Sequence, residues 1–277
     1  MTLSNRKILR TLLCLLAGTL YAVCLSACDA KEPLSENRDA EIESPVIAND
    51  LSNQKVTAIA EDTQGHIWIG TFRGLNKNNV HDYHQYFCTD DSLGLPDNQI
   101  THLLRDSKNR FWVGTVNGVC LYTDKDNFRI IPIEADNKNV RQILEDRNGR
   151  IFLNTGFQLY AYHPREEKIT CVLPEISPGN AFYAQCHIAP DNNLWVMTST
   201  GLRCYDPSTL QLKESVALNG YPYYSYLHNN ELWITGNHTL SIFDTRTRSF
   251  KPLPQPIAQN TTLCNADIDY IHPYGNN

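Results

Sequence analysis

Four aspartates, Asp62, Asp106, Asp146 and Asp191, each precede a turn rich in Gly or Asn. A glycosidase needs two carboxylates facing one another across a pocket, and spacing alone does not exclude such a pair. An aspartate at the start of a tight turn also accepts hydrogen bonds from the backbone N–H groups that follow it, and that turn role is expected for all four. The segment His81-Asp82-Tyr83-His84 holds metal-ligand residue types. Two histidines three apart with no third placed ligand read as a solvated loop, so no metal site is expected. Trp68, Trp112, Trp195 and Trp233 offer flat surfaces on which sugars stack, but their fixed place in a recurring strand makes them packing residues. No GxSxG, HExxH or P-loop pattern occurs, so no catalytic residue and no cofactor is expected.

The elements that carry these residues repeat. One copy runs Val56 to Asp62, then Thr63-Gln64-Gly65-His66, Ile67-Trp68-Ile69-Gly70-Thr71 and Arg73-Gly74-Leu75. A second runs Ile100 to Asp106, Ser107-Lys108-Asn109-Arg110, Phe111-Trp112-Val113-Gly114-Thr115 and Asn117-Gly118-Val119. Weaker copies centre on Phe152, Trp195 and Trp233, so the aromatic landmarks are 44, 40, 43 and 38 residues apart. Short apolar strands with a period near 40 suit a four-stranded propeller blade. A third strand ends at Tyr122, Tyr162, Tyr205 or Phe243, and Ile169, Leu212 and Phe250, seven residues past the last three of these, mark an outer strand. A helical solenoid fails, because no window shows 3.6-residue periodicity over ten or more positions. The expected fold is an all-β propeller of four-stranded antiparallel blades near 56–90, 98–133, 138–173, 180–216 and 222–254, with a further blade beginning at 266–277. Five blades and one strand leave two blade faces in water, so the chain reads as part of a longer propeller, and association through those faces is expected.

This repeat resembles that of the two-component regulator propeller family, whose signature reads roughly I-x-x-I-x-E-D-x-x-G-x-[IL]-W-[IV]-G-T-x-x-G-[IL]. The first two copies follow it almost throughout; the third puts Phe152 for Trp, and the fifth lacks the Asp. The resemblance spans residues 56 to about 270. It implies the periplasmic sensor of a large membrane histidine kinase, often a hybrid kinase of gut Bacteroidetes that detects breakdown products of complex glycans. The implied partners are an oligosaccharide ligand, the remaining blades and kinase part of a longer parent, and a second copy of the protein. No kinase histidine, ATP site or receiver aspartate belongs to the repeats, so no enzyme activity is expected of this chain.

Ligand contact is expected from loops, strand residues being consumed by packing. The loops between second and third strands (Phe72-Arg73, Val116-Asn117, Asn237-His238) should share a face with the connections into the inner strands, of which Gly220-Tyr221-Pro222-Tyr223-Tyr224 is unusually aromatic. Aromatic faces and an Arg fork suit sugars and uronates. Arg73, Asn117, Tyr221, Tyr223 and His238 are the expected ligand-binding residues.

Residues 1–28 read as an export signal. Arg6, Lys7 and Arg10 precede an apolar run from Thr11 to Cys24, too short and too soon followed by charge for a comfortable span. The run ends in Leu25-Ser26-Ala27-Cys28, which resembles a bacterial lipobox and makes Cys28 the expected lipidation site and membrane anchor. Polar residues 29–50 then read as a flexible tether. The expected location is periplasmic or cell-surface. Without the three basic residues of the leader, 21 basic groups face 30 acidic ones, a net charge of −9 that disfavours nucleic acid. Six cysteines remain beyond the leader, with no CxxC; Cys120 and Cys204, inside apparent strands, are expected as buried thiols. Alternatives are a free-standing surface lipoprotein that binds glycan or a protein partner, and a propeller glycosidase or lyase.

Overall fold

The computed structural model describes residues 45–89, 94–123, 126–176 and 184–260, together with 262, 266, 268 and 271. The leader with Cys28, residues 29–44 of the expected tether, Cys264, and the unit expected from 266 apart from its three described positions lie outside the described residues.

Alternating apolar residues in five- or six-residue runs, separated by Gly/Asn turns, fold here into five antiparallel sheets. The first holds β2 (Val56–Glu61), β3 (Ile67–Thr71), β4 (Gly74–Asn79) and β5 (Asp82–Tyr86). The second holds β6 (Ile100–Arg105), β7 (Phe111–Thr115), β8 (Gly118–Tyr122) and β9 (Phe128–Ile131). The third holds β10 (Gln142–Glu145), β11 (Ile151–Asn154), β12 (Leu159–His163) and β13 (Lys168–Leu173). The fourth holds β14 (Gln185–Ile188), β15 (Leu194–Thr198), β16 (Gly201–Tyr205) and β17 (Leu212–Ala217), and the fifth β18 (Pro222–His228), β19 (Glu231–Gly236), β20 (Thr239–Asp244) and β21 (Ser249–Lys251). Strand order within each sheet follows the sequence. The outer strands fall where the seven-residue step places them: Tyr162 pairs with Ile169, Tyr205 with Leu212 and Phe243 with Phe250.

Two features depart from the sequence expectation. Val46–Ala48, assigned above to the tether, form a strand, β1, that pairs with β5 and gives the first sheet a fifth, outermost member. Its backbone groups complete the ladder of an otherwise open edge, which is reason enough for an exposed tripeptide to lie flat there. A one-turn helix, α1 (Gln255–Ala258), follows the fifth sheet.

The sheets meet along their innermost strands, β2 against β6, β6 against β10, β10 against β14 and β14 against β18. Among the described residues no separate central core forms: the four apolar clusters are the four sheet-to-sheet interfaces. Strand alternation fixes which residue faces which neighbour. On β3, β7, β11 and β15 the aromatic landmark faces the following sheet, and on β7, β11, β15 and β19 the residues on either side of it face the preceding one. Trp68 is thus buried with Leu103, Phe111 and Val113, Trp112 with Ile143, Ile151 and Leu153, and Phe152 with Cys186, Leu194 and Val196. Trp195 is buried with Leu232 and Ile234. Edge-on aromatics complete three of these contacts, Trp68–Tyr122 at 4.6 Å, Trp112–Tyr162 at 4.9 Å and Trp195–Phe243 at 5.1 Å, an arrangement that adds to the area buried. Cys120, Cys186 and Cys204 fill the same interfaces as fully buried thiols. The glycine two residues after Trp68 has a packing reason: a Cβ on Gly70 would lie 2.5 Å from Ile100 Cγ2, so the next inner strand fits only because that position is bare.

Turn aspartates lock the tryptophans. Asp62 Oδ1 accepts from Gln64 N and His66 N, while its Oδ2 accepts from Trp68 Nε1 at 2.9 Å. Asp106 repeats this with Lys108 N, Arg110 N and Trp112 Nε1, and Asp146 takes Arg150 Nε at 2.7 Å where Phe152 offers no donor. Against burial, which raises a carboxyl's pKa, these bonds hold Asp62 and Asp106 below their ordinary values. Asp191 is not a fourth copy. Ala189 N donates to Asn193 O as Asp106 N does to Arg110 O, so Ala189 holds the aspartate position, and Asp191 sits two residues later, bonded to Asn193.

Candidate ligand-binding cleft on the inner strands

Because the inner strands converge, each contributes its first residues to a common cleft of about 380 Å³. Thr57, Thr101, Gln142, Gln185 and Tyr223 line it, one from each of the five inner strands, with Ile100 and Ala184 beside them. Phe72 and Val116 enter from the loops between second and third strands, and Gln99, Asn139 and Arg141 from the connections into β6 and β10. The volume lies in the range of small-molecule sites. Among the described residues the lining holds amides, hydroxyls, two aromatic rings and one guanidinium, with no carboxylate, imidazole or thiol.

Several of these groups also stitch one sheet to the next. Thr101 Oγ1 donates to Val140 O. Gln142 Oε1 accepts from Cys186 N at 2.9 Å and from Asn154 Nδ2 at 2.8 Å. Gln185 Oε1 accepts from Ser225 N at 2.5 Å and from Ser225 Oγ at 2.9 Å. The amides of Gln142 and Gln185 thus cross the third and fourth seams, while the Thr101 hydroxyl and the Val140 N–H, which donates to Thr115 O, cross the second. Asn139 Oδ1 is buried without a hydrogen-bond partner among the described residues, an acceptor left over on the cleft wall.

A second hollow, about 610 Å³, lies among the turns at the opposite ends of β6 and β10, lined by Thr63, Arg105, Asp106, Ser107, Asn109 and Glu145. Several of its polar groups are already engaged: Arg105 Nη1 donates to Asp62 O at 3.0 Å, and Ser107 N to Glu145 Oε2 at 2.8 Å. The inner-strand cleft is therefore the better candidate.

Of the five residues expected to bind ligand, the structure brings one, Tyr223, into the cleft. Arg73 and Asn117 are exposed at turns, their backbone N–H groups held by Thr71 and Thr115, and the cleft takes the residue before each, Phe72 and Val116. Tyr221 and His238 are exposed together at the β19–β20 end of the fifth sheet, where Asn237 N donates to Tyr221 O, and neither lines the cleft. Sequence reasoning missed Thr57, Thr101, Gln142 and Gln185. His84 Nε2 stands 3.9 Å from Asp82 Oδ1, and among the described residues no group of three metal-ligand side chains converges there or elsewhere.

Five antiparallel sheets, four of four strands and the first with β1 added, meeting along their innermost strands, the first four each with its landmark ring turned to the next, define a β-propeller, here an unclosed arc of five blades. Residues 50–73 and 94–117 match the family described as two component regulator propeller, so the first two blades carry that family's repeat. No curated protein matches the chain. Among solved structures, virginiamycin B lyase from Staphylococcus aureus is similar at a TM-score of 0.57 and 17% identity, over 74% of this chain and 72% of that one. The extracellular domain of a putative hybrid two component system from B. thetaiotaomicron is similar at a TM-score of 0.51 and 19% identity, over 82% of this chain. The chain spans 39% of that domain's length, and 37% of another extracellular domain of a putative hybrid two component system from the same organism, matched at a TM-score of 0.47 and 16% identity. At these identities the likeness is one of fold.

Proposed function

We propose that the chain is the ligand-sensing propeller of an exported two-component signalling protein, responsive to glycan and itself non-catalytic. The observation that carries this reading is the inner-strand cleft: neutral donors and acceptors beside the rings of Tyr223 and Phe72 match a polyhydroxylated ligand. The same side chains cross the seams between blades, so a ligand that bonds to Gln142 or Gln185 acts on blade spacing directly. The repeat family of the first two blades supports the signalling context. Among the described residues the cleft lining holds no pair of carboxylates such as a glycosidase needs. A variant of the similar lyase that lacks one histidine is called catalytically inactive, and among the described residues the lining of this cleft includes no histidine. Lipidation at Cys28 would hold the protein at the membrane surface, and among the described residues no helix is long and apolar enough to cross a membrane.

The test is a thermal-shift and calorimetric screen of the full chain against neutral and acidic oligosaccharides, repeated with Tyr223→Ala. Binding that Tyr223→Ala weakens is expected. A folded chain that no saccharide stabilises would remove the glycan reading. The lipobox-like Leu25-Ser26-Ala27-Cys28 favours a second reading, a surface lipoprotein that binds without signalling. An encoded polypeptide that continues into a membrane helix and a kinase core would decide for the sensor.

A further inference from the structure

Arg141 lines the inner-strand cleft as a charged group among amides, hydroxyls and rings. Backbone bonds fix the chain that carries it. Arg141 N donates to Asn154 O of its own blade at 2.8 Å, and Val140 N donates to Thr115 O of the second blade at 3.0 Å. Thr101 Oγ1 donates to Val140 O, and Gln142 Oε1 accepts from Cys186 N of the fourth blade at 2.9 Å. Arg141 and its two neighbours are thus tied into three blades, so the guanidinium rises from a held stretch of chain, which positions a ligand group more closely than a loop does.

A second cation stands beside the same cleft. Lys55 N donates to Asn53 Oδ1 at 2.9 Å, and Lys55 O accepts from Phe72 N at 3.0 Å. Lys55 Nζ lies 3.7 Å from the centre of the Phe72 ring, and that ring lines the cleft. Backbone and ring together hold the amine at the cleft's edge.

We propose that the cleft takes an acidic saccharide: Arg141 binds its anionic group, a carboxylate or a sulfate ester, and Lys55 adds a second positive charge at the rim. This rests on the reading of the cleft as a glycan site and narrows it to one class of glycan. A guanidinium presents five N–H donors in a planar fork that matches two oxygens of a carboxylate or sulfate, so it can hold an intramolecular partner and a ligand anion together. A ligand seated on Arg141 strips water from the charge. A neutral hydroxyl returns an ordinary hydrogen bond there, whereas an anion returns charge-assisted ones that are roughly twice as strong. The amides of Gln99, Gln142 and Gln185 suit the sugar hydroxyls, and the rings of Phe72 and Tyr223 suit the sugar faces. The fork that sequence reasoning placed at Arg73 is supplied two blades further on.

The experiment is calorimetry on the full chain with matched pairs of oligosaccharides. Galacturonate and mannuronate oligomers are set against their carboxyl-reduced forms, and sulfated galactan oligomers against their desulfated forms. An acidic member is expected to bind about tenfold or more tighter than its neutral twin. Which pair shows the difference tells carboxylate from sulfate. Arg141→Gln retains the backbone bonds and should weaken the acidic member about 10- to 100-fold, with little effect on a neutral one. Arg141→Lys, which keeps the charge without the fork, should recover part of that loss. Lys55→Gln, at an exposed position, should weaken acidic binding about two- to fivefold, and less at high salt. Neutral members that bind as tightly as their acidic twins overturn the acidic assignment and leave the glycan reading in place, as does acidic binding that Arg141→Gln leaves unchanged. A folded chain that binds neither kind removes the glycan reading and the acidic assignment with it. Should Arg141→Gln fail to fold, the wild-type comparison of acidic and neutral twins decides by itself.

Discussion

Trp112 donates its indole N–H to Asp106 Oδ2 at 2.8 Å, six residues back across the blade's first turn. The carboxylate also accepts from Lys108 N, Arg110 N and Arg110 Nε. One side chain thus closes the turn and sets the angle at which the ring enters the next blade. Asp106→Ala would break all four bonds and strand a buried indole N–H, a cost of about 3–5 kcal/mol. Urea denaturation is expected to show a loss of that order. A loss below about 1 kcal/mol would mean that the bond follows the packing and does not help to fix it.

The fourth blade supplies the converse experiment. Ala189 stands in the aspartate position, and Trp195 Nε1 is buried with no acceptor among the described residues. Ala189→Asp restores the acceptor in a geometry that the first two blades already use. A gain of about 1 kcal/mol is expected, limited by repulsion from Asp191 two residues on. Thermal melts of the single variant check this. A lowered midpoint would show that the site cannot take the charge.

Blade count, strand order and the burial of Trp68, Trp112 and Trp195 were legible in the sequence, because a 40-residue period and a fixed aromatic landmark leave few arrangements. The register of the outer strands followed from a constant step of seven residues. The cleft was not legible. Inner-strand residues were assigned wholly to packing, whereas Thr101, Gln142 and Gln185 serve the seam and the cleft at once. Arg73, Asn117 and His238 were chosen as loop residues, but a tight turn aims its last residue at solvent, and the residue before it reaches the cleft at Phe72 and Val116. The misplacement of Asp191 had a readable signal. Asp62, Asp106 and Asp146 each lie six residues before the landmark ring, and Asp191 lies four before it.

Acid should loosen the inner strands before it touches the turns. His102 on β6 and His187 on β14 are pushed down to about 4 by burial, offset for His102 by a bond with the Ile143 backbone. Their ordinary value is 6.5. Between the two values the unfolded chain binds more protons than the folded one, so stability falls as pH drops. The contribution is whole above pH 6.5 and is lost by pH 4, up to about 3 kcal/mol for each histidine. Asp62 and Asp106, held below 3.8, keep their contribution through this window and lose it only below about pH 3.8. Melting temperatures from pH 7 to 4.5 should therefore decline. His187→Gln, which preserves a donor to Ser225, should flatten the decline. A flat wild-type profile would contradict the burial of these rings.

Gln185 ties the fourth blade to the fifth, and removing its amide tests whether the seam and the cleft are one device. Its Oε1 accepts from both the backbone and the hydroxyl of Ser225. That hydroxyl, donating to Gln185, must accept from His187 Nε2–H at 2.8 Å, so a single amide orients three groups. Gln185→Leu fills similar space but leaves Ser225 N without a partner, at a cost of about 1–3 kcal/mol. The loss should be local. Hydrogen exchange at Ser225 and its neighbours on β18 should quicken, while Leu103 and Val113, three blades away, keep their protection. If saccharide binding in the cleft works through blade spacing, a bound saccharide should slow exchange at Ser225 in the wild-type chain and fail to do so in Gln185→Leu. Equal slowing in both would separate the ligand from the seam and leave the cleft as a passive binding site.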